Sequence, residues 1–198
     1  MLPFSTTFDH IPAARREDLR LLGSYIAEKR SMDEAVHLIV ICTHNSRRSH
    51  IGAIALQYAA NYFGIEGVTA YSGGTEATAF NPRAVAAMRR AGFNIEQKTE
   101  GENPVYSLLL DQEYTFFSKK YDHEANPQED FAAIMVCTSA DRGCPYVAGA
   151  DARFSLPFID PKAKDDMPEE AAAYDAAVQK IGNQMLYAMW CAAQVLEL

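Results

Sequence analysis

A three-layer α/β/α domain built on a central, mainly parallel four-stranded sheet is what this 198-residue chain predicts. Three observations carry that expectation. Short apolar, β-branched runs alternate with segments of helical period, which implies parallel strands joined by crossover helices. The first such run, His37 to Ile41, passes through a tight polar loop, Cys42-Thr43-His44-Asn45-Ser46-Arg47-Arg48-Ser49, straight into a helical pattern. The length suits one well-buried domain and is short for two.

The elements follow in order. Pro12 to Lys29 sets Leu19, Leu22, Tyr25 and Ile26 on one stripe, as an amphipathic helix does. Ser31-Met-Asp-Glu34 has the spacing of a capping box leading into the first strand. Residues 1–36 therefore read as an N-terminal helical extension to a domain covering 37–198. After the loop, Ser49 to Gly64 repeats Ile51, Ile54, Ala55, Tyr58 and Tyr62 at helical spacing. Val68 to Ser72 is a second strand, ending at Gly73-Gly74. Asn81-Pro82 opens a helix to about Arg90, with Pro82 suited to its first turn and Gly92 to its close.

Phe131 to Val136 is a third strand and Ala152 to Phe158 a fourth. The last helix runs from about Pro168 to Val195, with Tyr174, Val178, Ile181, Met185, Met189 and Ala192 on its packing face. One stretch breaks the alternation. Val105–Leu110 and Tyr114–Ser118, joined by Asp111-Gln-Glu113, read as a β-hairpin within an insertion of about 101–129. It either extends the sheet or overhangs the site, and its aromatics read as packing residues.

Composition narrows the function classes. Hydrophobic content of 48% and charged content of 22% are those of a soluble globular protein. Eighteen basic against 26 acidic residues leave −8, which argues against a nucleic-acid or anionic-membrane partner. No stretch approaches a membrane span, and Met1 to His10 lacks the basic start and apolar run of a signal peptide. The cytoplasm is the expected compartment. Four cysteines there read as reduced thiols rather than a disulfide framework.

The loop after the first strand carries the chemistry. Backbone N–H groups of the loop and of the first helical turn, with the helix dipole, favour an anion there. The same field favours a thiolate, making Cys42 a candidate nucleophile. Arg48 can fork onto two oxygens of a tetrahedral oxyanion. The plain alternative is that Cys42 is a small buried hydrophobe at a strand end. A second constellation, Cys137-Thr-Ser-Ala-Asp-Arg-Gly-Cys144, follows the third strand on the same rim. It can close into a disulfide if the segment bends, and zinc ligation or two unrelated cysteines are the alternatives. A thiolate that traps an oxidising oxyanion needs a second thiol to resolve it and a third to regenerate the site. Asp160-Pro161, after the fourth strand, offers a carboxyl as general acid or is a turn opener, with Asp165 and Asp166 as rival acids. Cys191, between Trp190 and Ala192, reads as core.

Together these residues resemble the low-molecular-weight protein tyrosine phosphatase superfamily, and within it the thioredoxin-coupled arsenate reductases. Residues 42–49 resemble the phosphate loop of both, and Ser72-Gly-Gly-Thr75 with Asn81-Pro82 resembles their Ser-x-Gly-Thr…Asn-Pro segment. Cys137-x6-Cys144-Pro145 with Asp160-Pro161 is similar to the reductase branch. The resemblance covers about residues 37–198 outside the hairpin insertion. It implies Cys42 as nucleophile, Arg48 as oxyanion clamp and Ser49 as partner of the thiolate. Thr43, His44, Asn45, Ser46 and Arg47 complete the oxyanion loop, with Asn45 and Ser72 holding its shape and Asp160 as general acid.

In the reductase scheme Cys42 attacks arsenate, Cys137 attacks Cys42 to expel arsenite, and Cys144 takes over the disulfide for thioredoxin. No bound cofactor and no metal are expected. In the phosphatase scheme water hydrolyses a phosphocysteine instead. A third possibility is an oxyanion-binding or redox-sensing module without turnover. Two departures stand out: Arg47 where both branches usually carry Cys, and His44 where Gly is usual. Arg47 either favours the thiolate or points to solvent. His44 tolerates a positive φ less well than Gly, if the position needs one.

Overall fold

A computed structural model describes residues 3–143 and 146–198. Four parallel strands, β1 (Val36–Cys42), β2 (Val68–Gly74), β3 (Phe131–Met135) and β4 (Ala150–Ser155), form the central sheet in the order β2-β1-β3-β4. β1 is bonded on both sides, His37 pairing with Thr69 on one and Phe131 on the other. That explains its unbroken apolar sequence, since a strand inside a parallel sheet is covered on both faces.

Helix α1 (Ala13–Ser31) precedes the sheet, α2 (Arg48–Tyr62) joins β1 to β2, and α3 (Pro82–Arg90) follows β2. A short α4 (Thr138–Gly143) follows β3, and α5 (Glu170–Leu196) ends the chain. α1, α2 and α3 all pack against α5, while α4 lies against β1 and β3, giving the three layers. Asn81 caps α3 by accepting from Arg83 N–H at 2.9 Å, and Pro82 occupies its first turn.

The insertion builds a second, three-stranded antiparallel sheet from β5 (Ile95–Gln97), β6 (Tyr106–Leu109) and β7 (Glu113–Phe116). The hairpin is as expected, but it does not extend the central sheet, and β5 adds a strand too short to show an alternation. The chain then returns beside β2: Gly74 N–H donates to Lys119 O at 3.0 Å and Tyr121 N–H to Gly74 O at 2.9 Å. The Ser31–Glu34 pattern is not a capping box. Ser31 ends α1, its hydroxyl donates to Glu28 O at 2.7 Å, and Asp33 turns the chain at φ 59°. Ser and Glu at that spacing close a helix here because the preceding residues, not the following ones, carry the helical periodicity.

Candidate active site

The loop from Cys42 to Arg47 sits at the carboxyl end of β1 and is held from outside by its carbonyls. Thr75 N–H donates to Cys42 O at 3.1 Å and Glu76 N–H to Thr43 O at 2.8 Å. Thr78 and Ser118 hydroxyls donate to His44 O at 3.0 and 3.2 Å, and Asn81 N–H donates to Ser46 O at 2.9 Å. Among the described residues none of the N–H groups of 43–48 donates a hydrogen bond. A cup of free donors at a helix N-terminus is the arrangement that binds a tetrahedral anion.

The candidate nucleophile, Cys42, ends β1 at the start of this loop. Cys42 Sγ lies 3.1 Å from Ser49 Oγ, which accepts from Asn45 Nδ2 at 2.8 Å; Asn45 Oδ1 accepts from Lys119 N–H at 2.8 Å. All these side-chain groups are buried. Asn45 takes the left-handed conformation, φ 44°, so it is Asn45 and not His44 that supplies the positive φ of the loop. His44 needs none; it is exposed, with its ring 3.6 Å from Glu76. Gly74 lets the strand pass close behind: a Cβ there would lie 2.7 Å from Asn45 N and 2.8 Å from Thr43 O.

Arg48 Nη1 donates to Phe158 O at 2.9 Å and Nη2 to Asp160 Oδ2 at 2.6 Å. Its Nε is buried and has no partner among the described residues. Asp160 is thus brought to the loop, its other oxygen accepting from Lys162 N–H at 3.0 Å at the start of the short 3₁₀ turn Pro161–Lys164. Asp165 and Asp166 lie elsewhere, on Arg47 at 2.9 Å and Arg83 at 2.6 Å. Arg47 does not point to solvent; its guanidinium is turned inward onto Tyr174 and Asp165.

Cys137 is buried at the end of β3, against the same loop: its Sγ is 3.3 Å from Thr43 Oγ1 and accepts from Ala140 N–H at 3.3 Å. Cys144 lies outside the described residues. Ser72 Oγ pairs with His50 Nδ1 at 2.9 Å, so it steadies the first turn of α2. His50 was not singled out by the sequence. It is buried, stacked on Phe80 at 4.1 Å, and pushed down to about 3 by burial and by the charge of Lys119. Lys119 is itself lowered to about 8 by burial, with its ammonium 4.7 Å over the Phe117 ring. Neither residue stands in a recognisable motif; both could be found only by their contacts. Among the described residues no group of three His, Cys, Asp or Glu side chains could hold a metal ion, and no helix is long and apolar enough to cross a membrane.

Known proteins resemble this chain in sequence and in fold. No protein-family model matches the chain. Arsenate reductase of Bacillus licheniformis is 31% identical over 146 residues, 73% of this chain and 88% of that protein. Arsenate reductase 2 of Staphylococcus epidermidis is 31% identical over 124 residues, 63% of this chain and 77% of that protein. Among solved structures, low-molecular-weight phosphotyrosine phosphatase of Vibrio cholerae O395 matches with TM-score 0.56 at 11% identity, over 83% of this chain and all of that one. The low-molecular-weight protein tyrosine phosphatase of T. tengcongensis gives TM-score 0.54 at 15% identity over the same shares. These solved structures share the fold; the sequence relatives share more. With relatives 31% identical matched over most of their length, this chain belongs to the arsenate reductase family, and it shares its fold with low-molecular-weight protein tyrosine phosphatases.

Proposed function

We propose that the protein reduces arsenate to arsenite by a thiol relay that starts at Cys42. The observation that supports a reductase over a hydrolase is the second buried thiol, Cys137, 3.3 Å from the hydroxyl of Thr43, the residue next to the nucleophile. A phosphatase has no use for it. Arsenate settles on the N–H groups of 43–48, with Arg48 clamping two of its oxygens. The Cys42 thiolate attacks arsenic and expels hydroxide, which Asp160 protonates so that it leaves as water. Ser49 keeps the sulfur oriented, and Asn45 keeps Ser49 oriented.

The Cys137 thiolate then attacks Cys42 Sγ. The sulfur–arsenic pair of electrons departs with arsenic, releasing arsenite and leaving a Cys42–Cys137 disulfide. Cys144 attacks Cys137, frees the Cys42 thiolate and closes a Cys137–Cys144 disulfide, which an external dithiol protein of the thioredoxin class reduces.

Phosphomonoester hydrolysis is the second reading. It is favoured by one fact: Cys42, Arg48 and Asp160 form a complete set without any further thiol. One comparison separates the two. Thioredoxin- and NADPH-linked turnover of arsenate is expected in the unaltered protein and should be lost in Cys137→Ser, in which a Cys42–arsenic adduct accumulates. Normal arsenate turnover in that variant would end the relay. Vigorous aryl phosphate hydrolysis with no arsenate turnover by the unaltered protein would establish the hydrolase instead.

A further inference from the structure

The segment carrying Asp160 is joined to the nucleophile loop twice. One tie is Arg48, described above. The other is a closed ring of three side chains: Arg47 Nε donates to Tyr174 Oη at 2.6 Å, Tyr174 Oη donates to Asp165 Oδ1 at 2.7 Å, and Arg47 Nη2 donates to Asp165 Oδ2 at 2.9 Å. The members come from the loop before α2, the segment after β4, and α5. Arg47 and Asp165 are only 12% and 17% exposed, so solvent screens their pairing little. Burial raises Tyr174 to about 12, with Asp165 adding to the shift and Arg47 opposing it, so the phenol keeps the proton it donates.

The ring and the acid are mechanically connected. Asp160 and Asp165 flank the 3₁₀ turn Pro161–Lys164, which is closed by Lys162 N–H on Asp160 Oδ1 and by Asp165 N–H on Lys162 O, each at 3.0 Å. Fixing Asp165 therefore fixes Asp160. Arg48 cannot do this alone. In the proposed reaction Arg48 must also hold the oxyanion, so the tie through its Nη2 loosens as the guanidinium turns to the substrate. The second does not depend on Arg48: it runs from Arg47 Nε to Tyr174 and from Arg47 Nη2 to Asp165.

We propose that Tyr174 is a positioning residue for Asp160, clamping Arg47 and Asp165 so that the acid keeps its place while Arg48 turns to the substrate. The inference rests on Asp160 as the acid of the proposed reaction. Tyr174 touches no reacting atom.

A double-mutant cycle with Tyr174→Phe and Asp160→Asn, combined with hydrogen exchange, tests it. Removing one buried hydrogen-bonding hydroxyl should lower kcat for arsenate about tenfold with KM unchanged, and should cost nothing further once Asp160 is Asn. The amides of Lys162 and Asp165 should exchange about tenfold faster while those of α2 keep their protection. Arg47→Lys, which keeps the charge and loses the fork, should behave as Tyr174→Phe does. Unchanged exchange at Lys162 and Asp165 overturns the clamp whatever the reaction is. Full additivity of the two substitutions overturns it too, since Tyr174 would then act on stability alone. Absence of arsenate turnover in the unaltered protein sinks the reductase reading instead, and the exchange measurement still decides whether the ring holds the turn.

Discussion

Arg48 and Asp160 are each other's partner and each needed elsewhere. At 2.6 Å the two form an ion pair, yet the proposed reaction asks the guanidinium to hold an oxyanion and the carboxyl to deliver a proton. An incoming dianion therefore competes with Asp160 for one nitrogen. Asp160→Asn should lower turnover by about 10²- to 10⁴-fold, the usual contribution of a general acid. It should also tighten the binding of inorganic phosphate, because a competing negative charge is gone. Phosphate affinity by calorimetry beside steady-state turnover checks both signs, and weaker phosphate binding by the variant would contradict the competition. The Cys42–Ser49 loop was legible at this scale because it is contiguous: these residues lie within one strand–loop–helix passage, where local rules apply. The partners of Arg47 were not. Tyr174 is 127 positions away and sits on the packing stripe of α5, where periodicity explains the ring and says nothing of the hydroxyl.

At the scale of elements, α2 is the piece on which the site depends, and its first turn carries a histidine with no water to charge in. His50 lies between Phe80, Ser72 and the ammonium of Lys119, and is held near 3 first by burial and then by Lys119. The unfolded chain binds its proton near 6.5, so between about 6.5 and 3 the unfolded state carries more protons than the folded one. Stability is then fully present above 6.5 and is lost as pH falls toward 3, on the order of 5 kcal/mol at the low end. Chemical denaturation from pH 7 to pH 4 should show this decline, and His50→Gln should flatten it. An equally steep decline in the variant would assign the acid lability to other groups. The major elements were legible because each carries a long run of one period. β5 and α4 were not: three residues with one buried side chain and a helix of six with one buried side chain leave no periodic trace. The Ser31–Glu34 error has the same root, since a four-residue pattern fits either end of a helix until the flanking contacts decide.

For the whole molecule the question is what joins the N-terminal helix to the sheet and the loop after β1. α1 lays Leu19, Leu22 and Ile26 against α5, and all three are fully buried. It also reaches the acid segment: Arg15 Nη2 donates to Pro157 O at 3.0 Å and its guanidinium stands 4.8 Å over the Phe158 ring. The helix is thus part of the core that orients Asp160. The two helices lie close together at Gly23, where an added Cβ would lie 2.6 Å from the carbonyl oxygen of Ala188 and 2.8 Å from Cys191 Cβ. Two effects oppose each other on substitution there. Replacing glycine by valine in a helix interior gains only about 0.3–0.5 kcal/mol of helix propensity. A branched side chain forced against the backbone of α5 costs about 1–3 kcal/mol for the part that repacks, and more where the backbone cannot move. The second effect wins, because the obstructing atom is a main-chain oxygen fixed within a long helix. Gly23→Val should lower the melting temperature by several degrees, at about 2–4 °C per kcal/mol for a chain of this size. Inorganic phosphate should raise the melting temperature of the variant by as much as it raises that of the unaltered protein, since Gly23 lies at the helix interface and not in the loop. A melting temperature unchanged or raised by Gly23→Val would mean that α1 stands off from α5 in solution, and that the acid segment is oriented without it.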